Sequence, residues 1–388
     1  MNQSLFNTQL QNMNSRLVVS KSKSKIYLDK NEQSDDVALN YKEKLAALLI
    51  QTNWNRYPSN DLSDIEQNVA NYCGLTAQNI ALSSGSATLI TTLLNYFAIN
   101  RKSIVITQPS YSLFDYHCKS YNIEYTPWML DDNLNFNLKT LPALHSNSVL
   151  IITAPNNPTG TNISMKQLEN ILKQNPTALI VLDGVYCEFS KTDFTPLINQ
   201  YENLMVLRSF SKAFPVAGLR LGYLCASATI TANVKKLLLQ FAINPFTLLF
   251  ARYILFDAKF MHDSKQCVKN IISERNRMKT YLTSNFSANQ IYVYPSEGNF
   301  LLIKIKSNHN KLIQSFSHAG IKVLDTSNFV KLNQTVRISI GTTSENNAVM
   351  RCIEKAMDLR INNQKTSPAN ISFTNNFNAI RSYAAVCY

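Results

Sequence analysis

Lys212 has the most chemistry gathered around it. It lies in Arg208-Ser209-Phe210-Ser211-Lys212-Ala213-Phe214, and Arg220 follows in Ala217-Gly218-Leu219-Arg220-Leu221-Gly222-Tyr223. A lysine among small and apolar side chains loses hydration, which disfavours its charged form and leaves an amine able to attack a carbonyl. Ser209, Ser211 and Arg220 add hydroxyl donors and a guanidinium fork, the groups a phosphate needs. Carbonyl capture beside phosphate binding is what pyridoxal phosphate requires, since its aldehyde condenses with a lysine amine.

Other segments offer complementary groups. Ile80–Ser83 reads as a short strand entering Ser84-Gly85-Ser86-Ala87 and then an apolar helix. Such a strand, turn and helix start presents free backbone N–H groups to an anion. Tyr111 follows the strand Ile104-Val105-Ile106, where its ring can lie over a flat heterocycle. Ala154-Pro155-Asn156-Asn157-Pro158-Thr159-Gly160 is a rigid turn after the strand 148–153, at the sheet edge where open α/β proteins bind ligands. Asp183 and Tyr186 follow the strand 178–182; a carboxylate walled by apolar residues there can keep a pyridine nitrogen protonated. Arg337 stands inside the apolar alternation of Val336–Ile340, a costly place unless it meets an anion.

Ser-x-Ser-Lys followed by Ala-Gly-x-Arg-x-Gly-Tyr resembles the lysine signature of the class I/II aminotransferases with the aspartate aminotransferase fold, nearest to the histidinol-phosphate aminotransferase branch. Matching motifs run in order from Leu28 to Thr342. The resemblance implies an α/β protein of PLP-transferase fold type I: a large, mainly parallel seven-stranded sheet with helices on both faces, plus a smaller α+β domain. It implies that Lys212 holds pyridoxal phosphate and shuttles a proton. The cofactor's phosphate would meet Ser84, Gly85, Ser86, Ala87, Ser209, Ser211 and Arg220. Tyr111 would stack on its ring, Asn157 and Tyr186 would bond its phenolic oxygen, and Asp183 its nitrogen. Tyr57, in Arg56-Tyr57-Pro58, would reach the phosphate of a partner subunit, so a homodimer is expected. Arg337 would fork the substrate's acid group, with Tyr27 and Asn31 near the substrate entrance.

The expected reaction moves an amino group between an amino acid, or an amino-phosphate such as histidinol phosphate, and a 2-oxo acid. A decarboxylase of the same fold resembling threonine-phosphate decarboxylase, or a PLP-binding protein without turnover, are the alternatives. Two departures stand out. Relatives read Asp-Glu-Ala-Tyr where this chain has Asp183-Gly184-Val185-Tyr186, from which a looser backbone is expected. Histidinol-phosphate enzymes also carry a phosphate-gripping arginine where this chain has Leu324, so an ordinary carboxylate-bearing amine is the expected substrate. Lys322 and Lys331 are the nearby cations that could replace that charge.

Around these residues the chain divides into an arm (1–35) packing with the small domain, a large domain (36–285), a small domain (286–362) and a tail (363–388). The pattern also predicts a helix from Asp61 to Tyr72, a strand at 219–226, a helix near 229–241 and a strand at 321–324, and a helix near 261–285 is expected to bridge the two domains. Its 388 residues suffice for both cores. The net charge of +13 comes from lysines scattered among Asn and Ser, which reads as general surface charge attracting anionic substrates, not a nucleic-acid stripe. Seven cysteines without C-x-x-C or zinc spacing read as reduced thiols in the cytoplasm, with no metal. No apolar run reaches membrane-spanning length.

Overall fold

The computed structural model describes residues 8–15 and 24–357. The tail expected at 363–388 and much of the arm lie outside the described residues. Seven strands form the large sheet in the spatial order Ile80–Ser83, Gly222–Ala226, Leu204–Ser209, Leu179–Asp183, Ser148–Thr153, Ser103–Gln108, Thr126–Met129. Gly222–Ala226 runs antiparallel to both neighbours, and the other pairs are parallel. This is the expected mainly parallel sheet.

Strands buried on both faces must be apolar at nearly every position, and Ser148–Thr153 is buried throughout. The period-two pleat then splits each strand between two cores. Val105, Leu150, Ile152 and Leu182 face one side with Leu168, Ile171 and Leu172 of the helix Met165–Gln174. Ile106, Val149, Ile151 and Val181 face the other with Leu89, Leu93 and Phe97 of the helix Ser86–Ile99. Met165–Gln174 starts where Ser164 and Gln167 form a capping box, a device contributing about 1 kcal/mol.

The second sheet is antiparallel, in the order Leu324–Asp325, Thr335–Ser339, Phe300–Ile305, Ile291–Val293. The long helix Ala258–Asn285 leads into it, its start capped by the Asp257 carboxylate. A third, two-stranded sheet pairs Ile26–Tyr27 in parallel with Ile321–Lys322. The N-terminal segment is thereby tied to the small unit.

Several boundaries differ from expectation. The strand expected at 219–226 begins at Gly222, because Ala217–Leu219 forms a single 3-10 turn and Arg220 adopts a left-handed φ of 56°. The stretch expected as strand 321–324 is two short strands in different sheets. The helix expected at 229–241 stops at Lys235, and the one expected from Asp61 starts at Ser63, whose N–H bonds the Asp61 carboxylate.

Candidate active site

Leu204–Ser209 runs into a four-residue helix, Phe210–Ala213, whose start is capped by Ser209 Oγ accepting from Ser211 N at 3.2 Å. Ser209 therefore serves its own backbone, a role the spacing did not reveal. The helix presents Lys212, half-buried, with Nζ donating to the carbonyl of Lys30 at 2.9 Å. Lost hydration, reinforced by Arg337 and Arg220 and opposed by Glu32 and Asp183, pushes its pKa down to about 8. Roughly a tenth of the amine is thus neutral at pH 7, far more than for an ordinary lysine, and it is the neutral form that acts as a nucleophile.

Asp183 ends the neighbouring strand and is buried, with Oδ1 lacking any hydrogen-bond partner. Burial raises its pKa to about 7, against the Val185 N–H and the Lys212 charge. A buried acceptor left unpaired costs on the order of 1–3 kcal/mol, so this oxygen is poised for a donor from a ligand. The adjoining Gly184 does not loosen the backbone as expected. Its N–H bonds Leu207 O at 2.9 Å, and a Cβ there would already press on Val206 at 3.3 Å.

At the other end, Gly85 has φ of 85° and precedes the first turn of Ser86–Ile99. The Arg220 guanidinium lies so close that a Cβ on Gly85 would sit 2.8 Å from its Nη2. Gly222 backs the same turn, where a Cβ would come within 2.3 Å of Ser86 N. Ser84 completes the turn, its carbonyl accepting from Thr88 Oγ1, and Ala87 continues the helix. Free N–H groups and a guanidinium thus meet at one concave spot suited to an anion.

Arg337 and Asn157 face each other across the cleft, Nη1 to Oδ1 at 2.6 Å, and Nη2 of Arg337 donates to Asp29 O. Arg337 is 5% exposed, its Nε has no partner, and it lies over the Phe300 ring at 5.5 Å. Asn31, fully buried with φ of 56°, donates through Nδ2 to Tyr186 Oη at 2.9 Å and accepts from Ser339 Oγ at 2.8 Å. Burial pushes the Tyr186 phenol up to about 12. Tyr111 is half-buried at the cap of the helix Ser112–Tyr121, close enough for its charge to bear on Tyr186 and Arg337.

Two expected residues stand apart. Tyr57 is 81% exposed and stacks on Phe241 at 4.8 Å. Tyr27 is half-exposed on the short strand opposite Lys322. Four residues escaped the sequence reading. Ser339 and Asn299 hold Asn31, Phe300 floors Arg337, and Gln33 reaches the Lys212 backbone. Ser339 was findable, because it lies two positions from Arg337 on the same face of an alternating strand.

The sequence profile of the family "Aminotransferase class I and II" matches residues 23–353. The chain belongs to that family. Histidinol-phosphate aminotransferase of Pyrococcus furiosus is 30% identical over 335 residues, covering 86% of this chain and 93% of that one. Two solved structures share the aminotransferase's fold. Histidinol-phosphate aminotransferase from Sinorhizobium meliloti, in complex with pyridoxal-5'-phosphate, aligns with a TM-score of 0.76 at 20% identity, covering 92% and 98% of the two chains. L-threonine-O-3-phosphate decarboxylase from Porphyromonas gingivalis aligns at 0.72 and 21%, covering 86% and 99%. At these identities the structural likeness establishes the architecture alone.

Among the described residues of the aminotransferase, no cluster of His, Cys, Asp and Glu could hold a metal ion, and no helix is long and apolar enough to cross a membrane. The six described cysteines are free thiols.

Proposed function

We propose that this aminotransferase is pyridoxal-phosphate dependent and takes its amino group from an amine bearing a carboxylate. The observation that carries the reading is the unsatisfied set around one cleft. Asp183 Oδ1 lacks a donor, Arg337 Nε lacks an acceptor, and the Gly85–Arg220 cradle would be filled by a Cβ. A flat phosphorylated pyridine with a ring N–H satisfies the first and third, and a substrate anion the second.

When bound, pyridoxal phosphate supplies an electron sink that acidifies the amine's Cα–H. The chain's own residues do the rest. Asp183 would hold a proton on the ring nitrogen, and Arg220 with the Ser84–Ala87 turn would anchor the phosphate. Tyr111 would cover the ring, and Asn157 and Tyr186 would hold the phenolic oxygen. Lys212, its amine deprotonated far more readily than an ordinary lysine's, would take the Cα proton and return it one atom away.

Arg337 orients the donor through its guanidinium fork. On the antiparallel ladder Leu324 is its register partner, so the two side chains share a face. A second cation at that point would grip a dianion, and leucine offers none. Lys322 is engaged with Asp29 at 3.2 Å, and Lys331 with Asp132 and the Leu130 carbonyl. The favoured donor is therefore an α-amino acid, with a 2-oxo acid as acceptor, although the P. furiosus relative is named for histidinol phosphate.

A homodimer is part of the proposal. Exposed Leu239 and Phe241 line a 370 Å³ cavity together with Ser84 and Thr88, and exposed Tyr57 stacks on Phe241, so a partner's aromatic could approach a phosphate there. Free thiols support the cytoplasm as the compartment.

The test is to reduce the holoenzyme with borohydride and map the label, then add single amino acids and follow conversion of the cofactor to its amine form. A phosphopyridoxyl group on Lys212, with 2-oxo acid released in step, is expected. Carbon dioxide release without oxo acid would instead establish a decarboxylase.

A further inference from the structure

Gln33 lies next to the segment that crosses the cleft, on no helix or strand, yet its side chain engages both the reactive lysine's backbone and the long helix. Its Nε2 donates to the carbonyl of Lys212 at 3.4 Å and to that of Ala213, while its Oε1 accepts from Cys267 Sγ at 3.0 Å. The amide is thus used at both ends, with the thiol fixing which end faces the carbonyls.

Those carbonyls need an outside donor. In a longer helix they would accept from the N–H groups of Val216 and Ala217. Here the helix ends at Ala213, Pro215 has no N–H, and Val216 N bonds Phe214 O at 2.8 Å instead. Gln33 therefore acts as a side-chain cap on the C-terminal end of the helix bearing Lys212.

The strap carrying Gln33 is itself anchored in the small unit. Leu28 N bonds Lys322 O at 2.7 Å, Ser339 N bonds Leu28 O at 3.0 Å, and Asn299 Nδ2 bonds Asn31 O at 2.9 Å. Asp29 O accepts from Arg337 and Lys30 O from Lys212 Nζ. The segment 28–33 thus joins the substrate-facing arginine to the lysine, and Gln33 is the only side chain of that segment with a described hydrogen bond to the lysine's own helix.

We propose that Gln33 is a positioning residue that pins the Lys212 backbone to the strap, so that the amine is presented at a fixed place relative to Asp183 and Arg337. The proposal rests on Lys212 being the cofactor-bearing lysine. It assigns no chemistry to Gln33, which reaches only main-chain carbonyls and a thiol. The charged groups acting on Lys212 are Arg337, Glu32, Arg220 and Asp183. Gln33 adds no charge to that set, so its removal acts through position.

The experiment compares wild type, Gln33→Leu, which keeps the bulk and removes the donors, and Cys267→Ala, which frees the far end of the amide. In the apoprotein, competitive acetylation is mapped by mass spectrometry, with exposed Lys191 as the internal reference. Gln33→Leu should change the Lys212 acetylation rate relative to Lys191 at least threefold and shift its pH midpoint. Cys267→Ala should shift both less, in the same direction. In the holoenzyme Gln33→Leu should lower kcat about tenfold with KM within a factor of two, and Gln33→Asn should recover part of the loss. Unchanged Lys212 acetylation and kcat in a folded Gln33→Leu protein overturn the proposal. A borohydride label that maps elsewhere than Lys212 in the wild type overturns the functional reading instead, so the two failures are told apart.

Discussion

Leu324→Arg is the substitution with the most to say about substrate choice. The ladder register sets residue 324 opposite Arg337 on one face, and in an antiparallel pair such side chains come within ~6 Å at their tips. Two guanidinium groups at that separation repel by roughly 3 kcal/mol at an effective dielectric constant of ~20. Residue 324 is half-exposed, so screening should reduce this to about 1 kcal/mol, a melting-point loss of about 2 °C. A phosphate dianion between the two reverses the sign. One added charge-assisted hydrogen bond contributes about 1.5–3 kcal/mol, or ~10- to 150-fold in kcat/KM for a phosphorylated donor. The assay measures kcat/KM for histidinol phosphate and for a panel of amino acids in both proteins, with thermal melts in the presence and absence of inorganic phosphate. The wild type should prefer an amino acid. The variant should gain on the phosphate ester only, and phosphate should restore its melting point. If unmodified enzyme uses histidinol phosphate best, Leu324 does not discriminate and the specificity reasoning fails.

Asp183→Asn should retain cofactor through the phosphate contacts yet slow Cα–H abstraction by orders of magnitude, as stopped-flow absorbance would show; an unchanged rate would place Asp183 away from the ring nitrogen. The same carboxyl makes apoprotein stability depend on pH. Its pKa rises from 3.8 unfolded to about 7 folded, so its contribution is fully present below pH 3.8 and is lost as pH climbs through about 7. Urea midpoints across that window should fall in the wild type and flatten in Asp183→Asn. Lys212 has the opposite shift, from 10.5 down to about 8, so its acetylation in the apoprotein should reach half-maximum near pH 8, well below that of exposed lysines. Gly222→Ala should push Ser86 N out of line, since its Cβ would lie 2.3 Å away; equilibrium dialysis should show weakened pyridoxal phosphate binding with the fold intact by circular dichroism.

The large sheet was readable because each buried strand is a short apolar run and the two faces alternate at period two, as in Ser148–Thr153. Lys212, Asp183 and Arg337 stood out because each is a polar residue at a place where apolar neighbours make it expensive, whereas Asn157 was marked by its proline-rich turn and the family resemblance. What stayed hidden depends on contacts between distant segments. Nothing local says that Ser209 is used as a helix cap, or that Gln33 finds two carbonyls beyond a helix end. Gly184 misled for the opposite reason. Glycine signals freedom in a sequence, but here Val206 and the Leu207 carbonyl leave it none. The split of 321–324 between two sheets turns on Ile26–Tyr27 arriving as a partner, which the run itself does not encode.

The bond between Asn31 and Ser339 joins positions 308 residues apart, and that separation sets an order of events during synthesis. At roughly 5–20 residues per second, translation leaves the N-terminal strap waiting about 15 to 60 s for its partner strand to emerge. The seven strands of the large sheet, all between Ile80 and Ala226, leave the ribosome well before then. A nascent chain can therefore own the phosphate cradle, Asp183 and Lys212 while still lacking Arg337. Throughout that interval Ile26 and Tyr27 have no strand to join, and Leu28, buried in the finished fold, stays uncovered on the growing chain.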